Sequence, residues 1–464
     1  MPDPFLVNHA VAPFQFDLSG PIAPISIRDQ MVRARLLVDR AWDAGLINRS
    51  GRPLLVGGAG AAGATAAIRA TQRGVLTVLV DAAPAPFLRQ AGCRSRLVDP
   101  LQYDWPVDHW NAGRYPWMPP SMPLPWRTDI ANRLAIHWTR LLNAQRIIHR
   151  GTLVVRYGLA LPSVAVAHAT NMLNVAFPSG SGLPTSFGML VSGIGFGTER
   201  SSVPRRPPAT GRYEGLQFWD TDAFASIGKT GTPTSILISG GGDGGLQDFV
   251  RIMTRGLSAK GIYRQLYDPA ASGIIPEWAE LEQAIQSAED QAWRAFSWGD
   301  KPYDHAVHSW LHGIHLAAIA KLLASSAGPN VRATLGSLLP TPGLNIRLVH
   351  PCSHFSQCYG LNRFLVLLIA RYLQDAGHSN PLQSDTGVQF VDCRHAPPFS
   401  PPVCYGRSHD VWFQTVACAT SGAASPRATP YDVVIIRHGA DPPHRLGRTP
   451  VLHPRELLPY HVAS

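Results

Sequence analysis

The chain is poor in charge and poorer still in lysine. Charged residues make up 16% of its 464 positions, and four of the 41 basic residues are lysines: Lys229, Lys260, Lys301 and Lys321. With hydrophobic residues at 45%, this composition excludes both a disordered polyelectrolyte and a charged coiled coil. The formal net charge is +10, yet the arginines are scattered, Arg205 and Arg206 forming the one adjacent pair. No dense basic run with interleaved aromatics signals nucleic acid, and anionic groups on small molecules are the better match for the surplus charge. Cysteine is sparse as well. Cys93, Cys352, Cys358, Cys393, Cys404 and Cys418 form no CxxC and no zinc-like pairing of pairs. The closest two, Cys352 and Cys358, have five residues between them, which leaves no closely spaced redox-active pair. No apolar run approaches the roughly 18 residues of a membrane helix; the longest, residues 364–373, is broken by Arg371. The first residues lack a basic segment leading into an apolar one. These features point to a cytoplasmic protein that acts on a small molecule, with no membrane and no nucleic-acid partner.

At about 150 residues per domain the length suggests three units, or two carrying insertions. Residues 1–25 read as Pro-rich and irregular. A lead-in helix follows over 26–47, with Met31, Leu36, Leu37, Ala41, Trp42 and Leu46 at helical spacing and Ser26 as its N-cap. Residues 54–56 form a short buried strand that enters a glycine turn, a small-residue helix over 61–73 and a second strand over 76–80, a β-α-β unit. Residues 82–127, rich in Pro and Trp, show no regular pattern and read as a packed functional loop. Further strands are expected at 153–155, 172–177 and 189–192, and residues 200–212 have the composition of a linker. A second strand and glycine turn start at 235–239. Residues 276–325 are helical in pattern, strands return at 346–349, 388–391 and 433–436, and a helix is expected over 362–372.

Two motifs carry the chemistry. The first is Gly58-Ala59-Gly60-Ala61-Ala62-Gly63, directly after a strand and before a helix. Its first glycine permits the tight turn, its second lets backbone approach a pyrophosphate, and its third lets helix and strand pack closely. The next strand ends in Asp81, placed to accept hydrogen bonds from a ribose. The second motif is Gly240-Gly241-Gly242-Asp243-Gly244-Gly245, again between strand and helix, with Gly240, Gly242, Asp243 and Gly245 as its candidate cofactor-binding residues.

Residues 54–81 resemble the FAD-binding fingerprint of flavoproteins that contain two dinucleotide-binding domains. Residues 189–195 are similar to the strand ending in Thr-Gly by which such proteins return to the FAD domain, with Ser192-Gly193 in that place. Residues 431–439 are similar to the strand that closes the second domain. Without a redox disulfide, the flavin-containing and N-hydroxylating monooxygenases look nearest. The resemblance implies an α/β fold of two Rossmann-like, doubly wound dinucleotide-binding domains: an N-terminal extension and lead-in helix at 1–49, an FAD domain at 50–230, an NAD(P) domain at 231–440 with a helical insertion at 274–328, and a tail at 441–464. It implies FAD and NADPH or NADH as cofactors, and oxidation of a small organic substrate. Two departures stand out. No apolar strand ending in Gly-Asp, by which many of these proteins grip the flavin ribityl chain, occurs near the C-terminus; Gly299-Asp300 lies in the helical insertion. The Phe-x-Gly-x-x-x-His signature of Baeyer–Villiger enzymes is missing too.

The second motif also resembles that of spermidine synthases, so an S-adenosylmethionine-type or aminopropyl transferase is the alternative, as is a non-catalytic nucleotide-binding sensor. A transferase needs an acid closing a second strand soon after the turn, and residues 261–268 make a poor strand. His305, His308, His312 and His315 fall on one stripe of a helix; we read them as a pocket wall in preference to a metal site. Cys93, Arg94, Arg96, Asp99, Tyr103, Trp105, His109 and Trp110 either cover the cofactor or pack as a Trp-Pro loop. Arg437-His438-Gly439 is similar to the Arg-His-Gly of histidine phosphatases, a coincidence, because in those proteins it follows the first strand. The catalytic acid or base stays open among His109, His305, His308, His312 and His354.

Overall fold

The computed structural model describes residues 3–19, 26–100, 102, 105–106, 122–167, 170–227, 234–267, 276–295, 301–339, 344–356, 358–393, 409–415 and 427–441. Tyr103, His109, Trp110, Gly299, Asp300, Cys404, Cys418 and the tail beyond 441 lie outside the described residues.

Two parallel sheets organise the chain. The first has the order Ala10–Ala12, Gln15–Asp17, Met189–Ser192, Leu54–Gly57, Thr77–Asp81, Leu153–Tyr157, and every neighbour from Gln15–Asp17 onwards is parallel. The second has the order Leu382–Gln383, Leu344–Val349, Thr234–Ser239, Val433–Ile436, parallel throughout. Both follow one plan. The unit's opening strand, Leu54–Gly57 or Thr234–Ser239, lies inside the sheet and its next two strands are laid on one side. A three-stranded antiparallel meander comes next, and the closing strand returns to the opening strand's other side. The meanders are Val164–Ala167, Met172–Val175 and Ser186–Phe187 in the first unit, and Thr386–Cys393, His409–Thr415 and Thr429–Tyr431 in the second.

Alternation along each strand explains the layers, because successive side chains point to opposite faces. In the first sheet Leu54, Val56, Leu79, Met189 and Val191 join the core built with helices Ile27–Asp43, Ala61–Gln72 and Ala131–Ile148. Leu55, Val78, Val80 and Leu190 face the meander through Leu173, Val175 and Phe187. The second sheet repeats this: Ile236, Ile238, Leu348 and Ile435 pack under helices with Phe249, Phe364 and Leu368, while Leu237, Val349, Val434 and Ile436 meet Val388, Val391 and Val411. Each such fully buried side chain contributes about 1.5–3 kcal/mol. The expected Rossmann-like units are present, with strands rather than helices covering the second face of each sheet.

Local expectations fare unevenly. Ser26 caps Ile27–Asp43, its side chain accepting from Asp29 N. Residues 1–25 are not irregular throughout: Pro4–His9 is helical, and Ala10–Ala12 with Gln15–Asp17 forms a hairpin on the first sheet. Residues 200–212 are not a bare linker, since Ser202–Pro204 pairs with Arg212–Glu214. Strands of three residues are too short for a period-two pattern to stand out. Within 82–127, Leu88–Gly92 is helical and Leu97–Val98 pairs with Asp129–Ile130. Among the described residues before Leu344–Val349, Ala259–Leu266, Pro276–Ala295, Lys301–Ala324 and Gly328–Leu338 are helical. Among the described residues no helix is long and apolar enough to cross a membrane, and Cys93, Cys352, Cys358 and Cys393 form no disulfide with one another.

Candidate functional site

Strand Leu54–Gly57 ends where the strand order of the first sheet reverses, between Met189–Ser192 and Thr77–Asp81. In open α/β sheets the crevice at the carboxyl end of such a switch point takes ligands. Gly58 holds φ +94°, and a Cβ there would lie 2.4 Å from the Gly193 carbonyl oxygen; one on Gly63 would lie 1.8 Å from that of Gly58. Backbone packing therefore imposes both glycines. Gly60 differs, for a Cβ on it would meet nothing within 4 Å and its φ of −75° suits any residue. Its bare backbone borders open space. Gly60 is also the N-cap of Ala61–Gln72, with no side chain capping the helix. The first-turn N–H groups of Ala61, Ala62 and Gly63 thus present partial positive charge to the crevice. Beside the turn, the partly exposed Asp81 carboxylate accepts from Ala59 N and, at 2.7 Å, from Ala83 N.

The second turn repeats the first. Gly58 N donates to Val80 O at 2.8 Å and Gly193 N to Gly57 O at 2.7 Å; correspondingly Gly240 N donates to Val349 O at 2.9 Å and Arg437 N to Ser239 O at 2.8 Å. A Cβ on Gly240 would lie 2.1 Å from Arg437 O, and one on Gly245 2.1 Å from Gly240 O. Gly242 caps helix Asp243–Met253 without a side-chain bond. The Asp243 carboxyl is engaged away from the turn, accepting from Tyr359 N at 3.0 Å and Asn362 Nδ2 at 2.8 Å. Burial pushes it up to about 7. Where Asp81 closes the second strand of the first unit, His350 follows Val349 in the second, and a Cβ on Gly241 would lie 2.9 Å from the His350 Cβ.

Beneath the second turn lies a buried charge network that sequence reasoning missed. Asp248, fully buried, accepts from Arg96 Nη2 at 2.8 Å and Arg437 Nε at 2.8 Å, with Arg251 Nη1 at 3.4 Å. Burial alone would raise its carboxyl, but Arg96, Arg437 and Arg251 hold it down to about 2. Arg251 also pairs with Asp222 at 2.8 Å, and Arg437 with Glu199 at 3.4 Å. Arg437 is thus a structural residue binding helix Asp243–Met253 to the connecting segment. Residues from all parts of the chain meet here, so no local motif announces it. The segment 93–110 contributes Arg96 to this network and packs Trp105 against Tyr263 and Phe364, at ring separations of 5.5 and 5.0 Å.

The histidine stripe faces the loop after Leu344–Val349. His305 lies 4.1 Å and His308 6.1 Å from His354, while His312 and His350 flank Phe355 at 5.2 and 4.9 Å. His315 Nε2 sits 3.1 Å from Glu289 Oε1, which also receives Arg363 Nη1 at 3.0 Å. Burial holds His308 and His312 down to about 3, and His350 and His354 to about 4. Among the described residues no three of His, Cys, Asp and Glu are grouped to hold a metal ion. Near the first turn, Phe87 N donates to Ala59 O at 3.2 Å. The helix that follows, Leu88–Gly92, walls a cleft of about 380 Å³ with Glu199, Leu216 and Trp219.

No family model matches the chain, and no curated protein matches it. Solved structures resemble it in general course. The bacillithiol disulfide reductase of Staphylococcus aureus is 9% identical, with 84% of this chain and 76% of that one covered at a TM-score of 0.38. A cyclohexanone monooxygenase mutant from Rhodococcus bound to NADP+ is 13% identical, covering 84% and 72% at 0.36. The thioredoxin reductase of T. acidophilum is 11% identical, covering 83% and 76% at 0.31. At these identities and scores the likeness is one of chain course, and the fold rests on the strand orders above.

Proposed function

We propose that the protein is an FAD-dependent, monooxygenase-like oxidoreductase: NAD(P)H would supply the reducing hydride and dioxygen would be the oxidant, one of its atoms entering a small organic substrate and the other leaving as water. The observation that carries this is the duplication of one site: two glycine turns of like geometry, each at the switch point of a parallel sheet, each opening an uncapped helix. The first turn fits FAD. Open space borders Gly60, the first-turn amides of Ala61, Ala62 and Gly63 suit a pyrophosphate, and Asp81 suits the adenosine ribose. The second, with Gly240, Gly242 and Gly245, suits the nicotinamide cofactor, and Asp243 serves by tying the turn to Tyr359 and Asn362. His350 in place of an acid favours a phosphorylated ribose, hence NADPH over NADH, since a carboxylate there would repel the 2′-phosphate. When bound there, the flavin would supply the relay of two electrons from NAD(P)H to dioxygen. The protein's part is to hold the two cofactors at fixed sheet edges and to exclude water; the cleft beside Leu88–Gly92 has the size of a small-molecule site.

Monooxygenase-like chemistry suits this chain better than dithiol exchange. Cys352 and Cys358 are not joined in a disulfide, and burial pushes the Cys358 thiol up to about 12, far from a reactive thiolate. A transferase at the second turn finds little support, because residues 259–266 are helical and the next strand among the described residues, Leu344–Val349, is followed by His350 in place of an acid. The test is the visible absorbance of the purified protein before and after NADPH addition. Flavin bands that bleach support the proposal; a colourless protein that takes up no FAD refutes it.

A further inference from the structure

The carboxyl edge of the first sheet continues past its switch point. Beyond Met189–Ser192 lies Gln15–Asp17, parallel, with Gln15 opposite Leu190, Phe16 opposite Val191 and Asp17 opposite Ser192. Leu18 N donates to Ser192 O at 2.9 Å, and Phe16 and Leu18 are anchored in the core. Ser192 in turn lies opposite Gly57, and Gly57 opposite Val80, which Asp81 follows. The edge therefore reads Asp81, Gly57, Ser192, Asp17 across four neighbouring strands.

A dinucleotide laid along this edge with its pyrophosphate at Gly60 and its adenosine ribose at Asp81 has one direction left for its other half. That half runs over Ser192 towards Asp17, two strands or roughly 10 Å from the strand that carries the turn. In FAD it begins with the ribityl chain, a row of hydroxyl donors. Asp17 is a fixed acceptor. Its Oδ1 accepts from Ser19 N at 2.8 Å, and Ser192 bonds the same carboxyl. Its strand is pinned by His9 Nδ1, 3.2 Å from Asp17 O. Burial raises the carboxyl, so a further donor would relieve a desolvated group.

We propose that Asp17 accepts hydrogen bonds from the ribityl hydroxyls of FAD, so that a strand preceding the glycine turn in the chain completes the flavin site. The proposal rests on the first turn being the FAD site. It also gives the chain a ribityl acceptor without a Gly-Asp strand near its C-terminus.

The test is equilibrium binding of FAD and of ADP to the full chain stripped of nucleotide, as wild type, Asp17→Ala, Asp17→Asn and Asp81→Asn. ADP ends at the pyrophosphate and does not reach Asp17. Losing a hydrogen bond to a charged acceptor should weaken FAD about tenfold or more in Asp17→Ala, with ADP affinity kept within about twofold; Asp17→Asn should fall between. Asp81→Asn should weaken both ligands together. Equal FAD affinity in wild type and Asp17→Ala overturns the proposal. Parallel loss of ADP binding in both Asp17 variants also overturns it, making Asp17 a structural residue. Wild type that binds neither ligand refutes the reading of the first turn itself.

Discussion

Gly60 and Gly63 sit three residues apart in one turn, and the structure assigns them different duties. A methyl group on Gly63 would stand 1.8 Å from the Gly58 carbonyl oxygen, which is backbone and has nowhere to go. Gly63→Ala must push helix Ala61–Gln72 off its strand, at a cost of about 3 kcal/mol. Gly60→Ala meets no atom within 4 Å and keeps an ordinary φ of −75°, so its stability loss should stay below about 1 kcal/mol. If the crevice is the FAD site proposed above, the same methyl would occupy the space through which the pyrophosphate would approach the helix amides. Losing one charge-assisted hydrogen bond there weakens FAD by about tenfold to a hundredfold. Urea unfolding and FAD titration of the two variants separate these effects. A Gly60→Ala protein that binds FAD as tightly as wild type would refute the assignment of the crevice, and one that unfolds would refute its packing.

Asp248→Asn leaves Arg96, Arg251 and Arg437 without their shared counter-charge and should lower unfolding free energy by about 3–5 kcal/mol; a loss under about 1 kcal/mol in denaturant titration would show the network to be ornamental. The folded-state values of His308, His312, His350 and His354 lie at about 3 to 4, below the ordinary 6.5. The unfolded chain therefore takes up protons first, and the stability present above pH 6.5 is lost progressively as pH falls from 6.5 towards 3. Thermal midpoints should begin to drop below pH 6.5, less steeply in a His308→Gln, His312→Gln double variant; a flat profile from 6.5 to 4.5 contradicts this. With His350 in the place that Asp81 holds in the first unit, His350→Asp should weaken NADPH about tenfold more than NADH, one 1.4 kcal/mol step. Equal effects on the two cofactors in fluorescence titrations would remove His350 from the ribose site.

Much of the fold was legible where a local rule is strong. Ser26 announces its helix by side-chain capping, and residues 58–63 declare turn, helix and strand because Gly58 and Gly63 each answer a steric demand of the turn. The strand Val433–Ile436 matches its expected span as a continuous apolar run. What stayed hidden depends on partners distant in the chain. Gln15–Asp17 carries a single core side chain, Phe16, and becomes a strand only because Met189–Ser192 offers it an edge. The Asp248 network joins Arg96, Asp248 and Arg437 across hundreds of residues, with no spacing to betray it. His305, His308 and His312 could be placed on one helical face, but the loop bearing His350 and His354 that they meet could not. Asp243 looked like a cofactor ligand from its position in the turn, and only the fold shows its carboxyl claimed by Tyr359 N and Asn362.

The visible spectrum of the purified full chain, recorded before and after NADPH is added under air, decides whether the protein holds a flavin that NADPH reduces. Oxidised-flavin bands should bleach on addition and return as oxygen reoxidises the protein. A colourless protein that acquires no such bands when FAD is supplied would contradict this.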